Sequence, residues 1–246
     1  MAISRCAEEK RTSAEDKREK SRRCIMEASL ELFYENGYQK TTIRDIIKRA
    51  GILNGSLYNR FKSKEEILLN IVTDMLNATL SECETLLKNE RDMVVVTILP
   101  TALEVYISSR SPKAADLMYE VHRLWSTVNE YTKMNIDWMR RYFDKYGVTI
   151  TDTLDAEISY LMLLGSVGNI CGYYANGGDL DFRKILHHMA SHVAMEFKLP
   201  MFDINSTIDK VMSIVEKCHI VLYEDGLDLI GVVENSDALV PIHRDQ

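Results

Sequence analysis

Glycine and proline are scarce: 11 and 4 of 246 residues, with long stretches that contain neither. A β-sandwich or barrel needs frequent Gly- and Pro-bearing turns, so these folds are excluded, as are collagen-like and low-complexity chains. The five cysteines (Cys6, Cys24, Cys83, Cys171, Cys218) are odd in number, scattered, and without a C-x-x-C pair. That excludes a disulfide framework, a zinc knuckle and a redox dithiol, and fits a reducing cytoplasm. The stretch from Arg5 to Arg23 has no apolar core of the kind a signal peptide requires. There is no G-x-S-x-G, no phosphate-binding glycine loop and no dinucleotide fingerprint, so neither an enzyme nor a cofactor is expected.

What is present is an apolar content of 46%, sufficient for a sizeable buried core, on a net charge of −7. The charge is unevenly divided. Residues 1–64 hold 15 Lys and Arg against 9 Asp and Glu, whereas the remainder holds 15 against 28. A basic block joined to an acidic body suggests a phosphate-binding module fused to a part that does not touch phosphate.

Helical spacing recurs throughout, which predicts an all-α fold. From Ser21 to Asn36 the apolar residues Ile25, Ala28, Leu32 and Phe33 fall on one face, and Gly37 follows as a stop. Thr42-Ile-Arg-Asp45 has the form of a capping box, opening a short helix that ends at Gly51. After Gly51-Ile-Leu-Asn54 a third segment runs Gly55 to Phe61, and Ser63-Lys-Glu-Glu66 opens a long fourth helix. Two short helices joined by a glycine turn suggest a helix-turn-helix. Small or polar residues at the start of a recognition helix let its backbone approach DNA, a demand that Asn54, Gly55 and Ser56 meet. Leu57 and Phe61 are expected to lock that helix to the core. Tyr58, Asn59 and Arg60 are expected to face DNA, with Thr42, Arg44 and Lys64 beside helix N-termini that suit phosphate.

Phe33-Tyr-Glu-Asn-Gly37-Tyr38, Thr41-Thr-Ile-Arg-Asp-Ile46, Ala50-Gly51-Ile52, Gly55-Ser-Leu-Tyr58 and Phe61-Lys-Ser-Lys64 together resemble the DNA-binding domain of the tetracycline-repressor (TetR) family, over about residues 17–70. Leu53 stands where that family usually has Ser or Thr, and Arg60 where it often has His or Tyr. The resemblance implies a helix-turn-helix domain followed by a helical ligand-binding and dimerisation domain. Its organisation would be a charged flexible arm at 1–16, the DNA-binding domain at 17–64, the regulatory body at 65–200 and an extra amphipathic helix with a tail at 201–246.

The remaining helices are expected near 63–88, 92–109, 113–125, 127–146, 153–176, 180–198 and 203–223, with a kink at Pro100. Residues 158–178 carry no charge, but five glycines and four Ser or Asn residues interrupt the run, which argues against a membrane span. Gly165, Gly168 and Gly172 would permit close helix approach, in a dimer seam or against the core. The resemblance implies that 153–176 and 180–198 form a dimer interface, with Ile185 and Met189 in it. His188, His192 and Glu196 share a helical face, yet no third strong ligand or cysteine lies near, so no metal is expected. Aromatic and Met side chains concentrate in residues 103–143. A cavity lined by Tyr106, Tyr119, Trp125, Met134, Trp138 and Met162 would suit an apolar effector.

The leading expectation is a cytoplasmic homodimeric regulator, a repressor released from a near-palindromic operator in double-stranded DNA by a small apolar or aromatic molecule. The alternatives are control by a protein partner or no ligand control, and an all-helical enzyme or carrier for an apolar substrate.

Overall fold

The computed structural model describes residues 2–148, 153–199 and 203–218, and every regular element among them is an α-helix. Two units emerge, Met1–Asp74 and Met75–Gln246. The division falls inside one long helix rather than in a linker.

The first unit holds α1 (Ala2–Asn36), α2 (Ile43–Ala50), α3 (Asn54–Tyr58) and the start of α4 (Lys64–Leu86). The expected charged arm is helical: α1 begins at Ala2, not Ser21. No Gly or Pro interrupts residues 2–36, and their Ala, Glu, Lys and Arg are strong helix formers. Gly37 then takes φ +84°, a conformation that ends the helix at little steric cost. Ile25, Met26, Leu32 and Phe33 of α1, Ile46 of α2, Leu57 of α3, Phe61, and Ile67, Leu68 and Ile71 of α4 are buried and make the core. Polar ties fix the helices around it. Arg49 of α2 reaches Glu31 (2.6 Å) and Glu35 (2.8 Å) of α1, and Arg22 of α1 donates to Asn70 (3.1 Å) and Asp74 (3.3 Å) of α4. The buried Thr41 hydroxyl donates to the carbonyls of Leu32 and Gly37.

The second unit holds the rest of α4 with α5 (Met93–Arg110), α6 (Pro112–Val121), α7 (Trp125–Lys145), α8 (Thr153–Ala175), α9 (Phe182–Glu196) and α10 (Ile204–Val215). At its centre lies α5, touching α6, α7, α8, α9 and α10. It is long and apolar enough to cross a membrane, but most of it is buried inside the protein. The helix continues through Pro100 and stops at Ser111, whose hydroxyl caps α6 ahead of Pro112. The extra C-terminal helix is not an appendage. Asp92 caps α5 by accepting from the Val94 and Val95 amides, and the same carboxylate accepts from Thr207 of α10 at 2.6 Å. Lys210 pairs with Glu90 at 3.1 Å, and Ile208, Val211 and Val215 are buried. The helix ends at Val215, short of the expected 223; residues 219–246 lie outside the described part.

Candidate nucleic-acid interface

Thr42 opens α2 with a complete capping box: its hydroxyl accepts from the Asp45 amide, while the Asp45 carboxylate accepts from the Thr42 amide at 2.9 Å. The Thr42 hydroxyl also donates to that carboxylate, and these bonds hold the Asp45 pKa below its ordinary value. Thr42 is therefore occupied in capping and presents no spare hydroxyl proton to a phosphate, contrary to expectation.

The turn is three residues. Gly51 caps α2 at φ +62°, and its amide points back to the last carbonyls of the helix. Leu53 then occupies the N-cap position of α3 with no side-chain hydrogen bond, so α3 starts at Asn54, one residue before the expected Gly55, and ends at Tyr58. Its side chains divide as the pattern required. Leu57 and Phe61 are buried, whereas Asn54, Gly55, Tyr58 and Asn59 are exposed and Ser56 and Arg60 are half-exposed. A Cβ built on Gly55 would meet nothing within 4 Å, so the helix start is open to a close partner. Arg60 Nε is buried without a hydrogen-bond partner among the described residues. Leu53 itself is 79% exposed.

Lys64 is a correction. Its ammonium donates to the carbonyls of Tyr38 (2.7 Å) and Thr41 (2.9 Å) and lies 4.2 Å from the centre of the Tyr38 ring. Rather than facing phosphate, it pins the α1–α2 connection to the start of α4, because a long side chain there can satisfy two carbonyls that no helix uses. Arg44 is exposed as expected, and Lys40, Lys48 and Lys62, which the sequence reading passed over, are exposed as well. Their signal was available: all three are basic residues flanking the motif. What the surface can do is contact phosphates through these cations and base edges through Asn54, Ser56 and Asn59.

Residues 25–71 match the family profile described as "Bacterial regulatory proteins, tetR family". A protein called HTH-type transcriptional repressor KstR2 from Mycolicibacterium smegmatis is 42% identical over 53 residues, 22% of this chain and 26% of that protein. The KstR2 of Rhodococcus jostii is 25% identical over 167 residues, 63% of this chain and 80% of that protein. A crystal structure of RolR in complex with resorcinol shares the fold with a TM-score of 0.57 at 16% identity, covering 80% of this chain and 95% of that one. The folded helices and their turn define a helix-turn-helix protein. Residues 25–71 are a domain of the tetR family of bacterial regulators.

The residues expected around an effector differ widely in exposure. Trp125 and Met162 are 69% and 55% exposed. Trp125 borders a surface cleft of about 280 Å³ between α7 and α8, together with Asn129, Lys133, Arg140 and Glu157. Tyr106 is half-buried against Phe182, its hydroxyl taken by Arg110, and Met134 is half-buried. Trp138 alone of the six is fully buried, with Nε1 lacking a partner among the described residues. An aromatic stripe on an amphipathic helix reads the same whether it faces a cavity or solvent, which is why spacing misled here.

The glycines resolve into core packing. A Cβ at Gly168 would stand 2.5 Å from His122 Cβ, and one at Gly172 would stand 2.8 Å from the Tyr119 ring, so α6 of the same chain makes the close approach to α8. Ile185 and Met189 are buried in their own chain too. These four are removed from the seam, while Gly165 is exposed with open space above it. His188 is exposed, and His192 Nε2 lies 3.3 Å from the Ser159 carbonyl oxygen.

Sequence reasoning missed a set of buried polar residues in the second unit. Glu104 of α5 and His122, which caps the end of α6, lie side by side with Oε1 and Nε2 2.6 Å apart and side chains only 6% and 3% exposed. Glu104 Oε2, His122 Nδ1 and the Tyr160 hydroxyl of α8 are buried without a hydrogen-bond partner among the described residues. Tyr131 of α7 packs its ring edge-on to His122. Burial, then the charge of Glu104, pushes the Tyr131 and Tyr160 hydroxyl pKa values well up. The signal was Glu104 itself, the single acid in the apolar run Met93–Arg110.

Proposed function

We propose that this chain is a dimeric transcription regulator, a repressor that binds a twofold-repeated operator through α2 and α3 and leaves it when a small molecule occupies the second unit. The observation that carries the reading is the divided α3: Leu57 and Phe61 buried, and Asn54, Gly55, Tyr58 and Asn59 exposed beside the cations Arg44 and Lys48. The KstR2 repressors, similar in sequence, support the sign of regulation, and the RolR complex with resorcinol supports a small effector in a body of this fold.

Two recognition helices on one DNA face must be spaced by about 34–36 Å or a multiple of it, which requires a second copy of the chain. Its seam is best sought on α8. Leu154, Ile158, Met162 and Tyr173 are large, apolar and 48–63% exposed, and they recur at helical spacing with Gly165 between them. A row of this kind on a monomer marks an interaction face. Release by an effector is a population shift, so the effector must bind the DNA-incompetent arrangement more tightly than the competent one.

Selection of bound fragments from a random duplex library tests the reading. A twofold-repeated consensus bound by a dimer is the expected result. Recovery of no consensus, with binding that depends on salt alone, would reduce the domain to a non-specific binder.

A further inference from the structure

Four helices carry buried polar groups toward one another: Glu104 of α5 lies against His122 at the end of α6, Tyr131 of α7 packs edge-on to His122, and Tyr160 of α8 is near enough to feel the Glu104 charge. The α5–α6, α5–α8, α6–α8 and α7–α8 packings are all direct. His122 is held in place, since the backbone of Gly168 presses on its Cβ and leaves no room for a side chain. Around the polar groups the helices are apolar: Leu103 and Val105 flank Glu104, and Leu163 and Leu164 follow Tyr160 by one turn, all buried.

Buried polar atoms in native proteins nearly always have partners, and each one left over costs stability. Here three such atoms belong to one neighbourhood, and the charge of Glu104 is felt at Tyr160, Tyr131 and Cys171 alike. Their chemistry is specific. In the neutral His122 tautomer whose Nε2 proton faces Glu104, Nδ1 keeps a lone pair, and Glu104 Oε2 is likewise an acceptor. The Tyr160 hydroxyl can donate. A group that both donates and accepts therefore satisfies the set, whereas a second carboxylate would meet Glu104 in an interior that screens charge poorly.

We propose that Glu104, His122 and Tyr160 form the polar end of an effector site for a neutral, apolar molecule bearing a hydroxyl group, an alcohol or phenol, and that Glu104 turns away the corresponding acid. The hydroxyl donates to Glu104 Oε2 or His122 Nδ1 and accepts from Tyr160. This rests on the second unit being a ligand-responsive body.

Calorimetric titration of the full chain with 4-butylphenol, 4-butylbenzoate and 4-butylbenzylammonium tests the assignment. In the wild type the phenol should bind at least tenfold more tightly than either ion. Glu104→Gln should shrink the phenol-to-benzoate ratio at least tenfold, chiefly by admitting the acid. Tyr160→Phe should weaken the phenol several-fold without lowering the melting temperature of the free protein. Because Tyr160→Phe only removes a partnerless hydroxyl, it carries the test if Glu104→Gln does not fold. Equal affinity for the three probes, no saturable phenol binding, tighter binding of the ammonium, or an unchanged ratio in folded variants would overturn the proposal. These titrations contain no DNA. Phenol selectivity without any effect on a DNA complex would refute ligand control and leave the site standing, while a DNA complex released by other ligands would do the reverse.

Discussion

The two units treat their polar groups in opposite ways. In the first, the interior is closed and satisfied: Ser29 and Thr41 are buried and each donates to a backbone carbonyl, and Arg22, Arg49 and Lys64 are spent on holding helices together. Among its described residues, only Arg60 Nε is buried without a partner, on the face that carries α3. In the second, Glu104, His122, Trp138 and Tyr160 all bury polar atoms that the described residues leave unmatched. A module that presents a fixed surface gains from rigidity, and its polar groups serve that end. A module that must bind something inside it keeps unmatched groups there at a cost in stability.

The comparison breaks most visibly at the packing of the first unit. Phe61→Ala should destabilise it by about 3–5 kcal/mol, enough to abolish DNA binding with the fold. Denaturant unfolding monitored alongside DNA binding checks this, and a stable variant that still bound DNA would deny Phe61 its anchoring role.

Next in size is the seat of α10. Asp92→Ala removes the cap of α5 and strands the Thr207 hydroxyl, so a loss of about 2–3 kcal/mol is expected. A melting temperature within a degree or so of wild type would return α10 to the status of an appendage.

Lys64 sharpens the division of labour among cations. Lys64→Met should cost about 1–2 kcal/mol of stability, since it frees two carbonyls, while leaving the salt dependence of DNA binding as it was. Arg44→Ala should do the opposite and flatten that dependence by about one unit of slope. Salt titrations of both variants decide it; a flattened slope for Lys64→Met would put its charge back on phosphate.

Tyr160→Phe should act in the reverse direction and stabilise the free protein by about 1 kcal/mol, because it removes a buried hydroxyl with no partner. A measured loss of stability would mean that the hydroxyl is satisfied in solution.

The smallest effect concerns pH. Burial raises the Glu90 pKa, but the Asp92 amide, Lys210 and the Arg91 amide outweigh it, so the folded value lies below the ordinary 4.5. A depressed carboxylate contributes stability that is complete above its unfolded pKa and is lost as pH falls through the folded one. Glu90→Gln should therefore cost less than about 1 kcal/mol at neutral pH, the partly exposed Lys210 being screened, and progressively less as pH falls through the lowered Glu90 pKa. A pH-independent difference would assign the effect to packing.

The helices, the Gly37 and Gly51 stops, the Thr42–Asp45 capping box and the buried Leu57–Phe61 pair were all legible, because each depends on residues within a few positions of one another. The candidate site was legible only where it lies on such a local pattern. Asn54, Gly55, Tyr58 and Asn59 stand exposed as periodicity required and Thr42 is spent on its own capping box, whereas Lys64 is occupied by bonds that spacing does not reveal, one of them reaching back 26 residues.

Sequence by itself determined the all-helical class, the helix-turn-helix and the basic N-terminal block, since caps, turn glycines and apolar periodicity act over one or two helical turns. Tertiary structure alone decided that Gly168 and Gly172 seat α6 of the same chain, that α10 docks on Asp92, and that Glu104 meets His122 with Tyr160 within reach of its charge. The reason is physical. A glycine permits close approach without naming its partner, and a buried acid demands company without saying which distant helix will supply it.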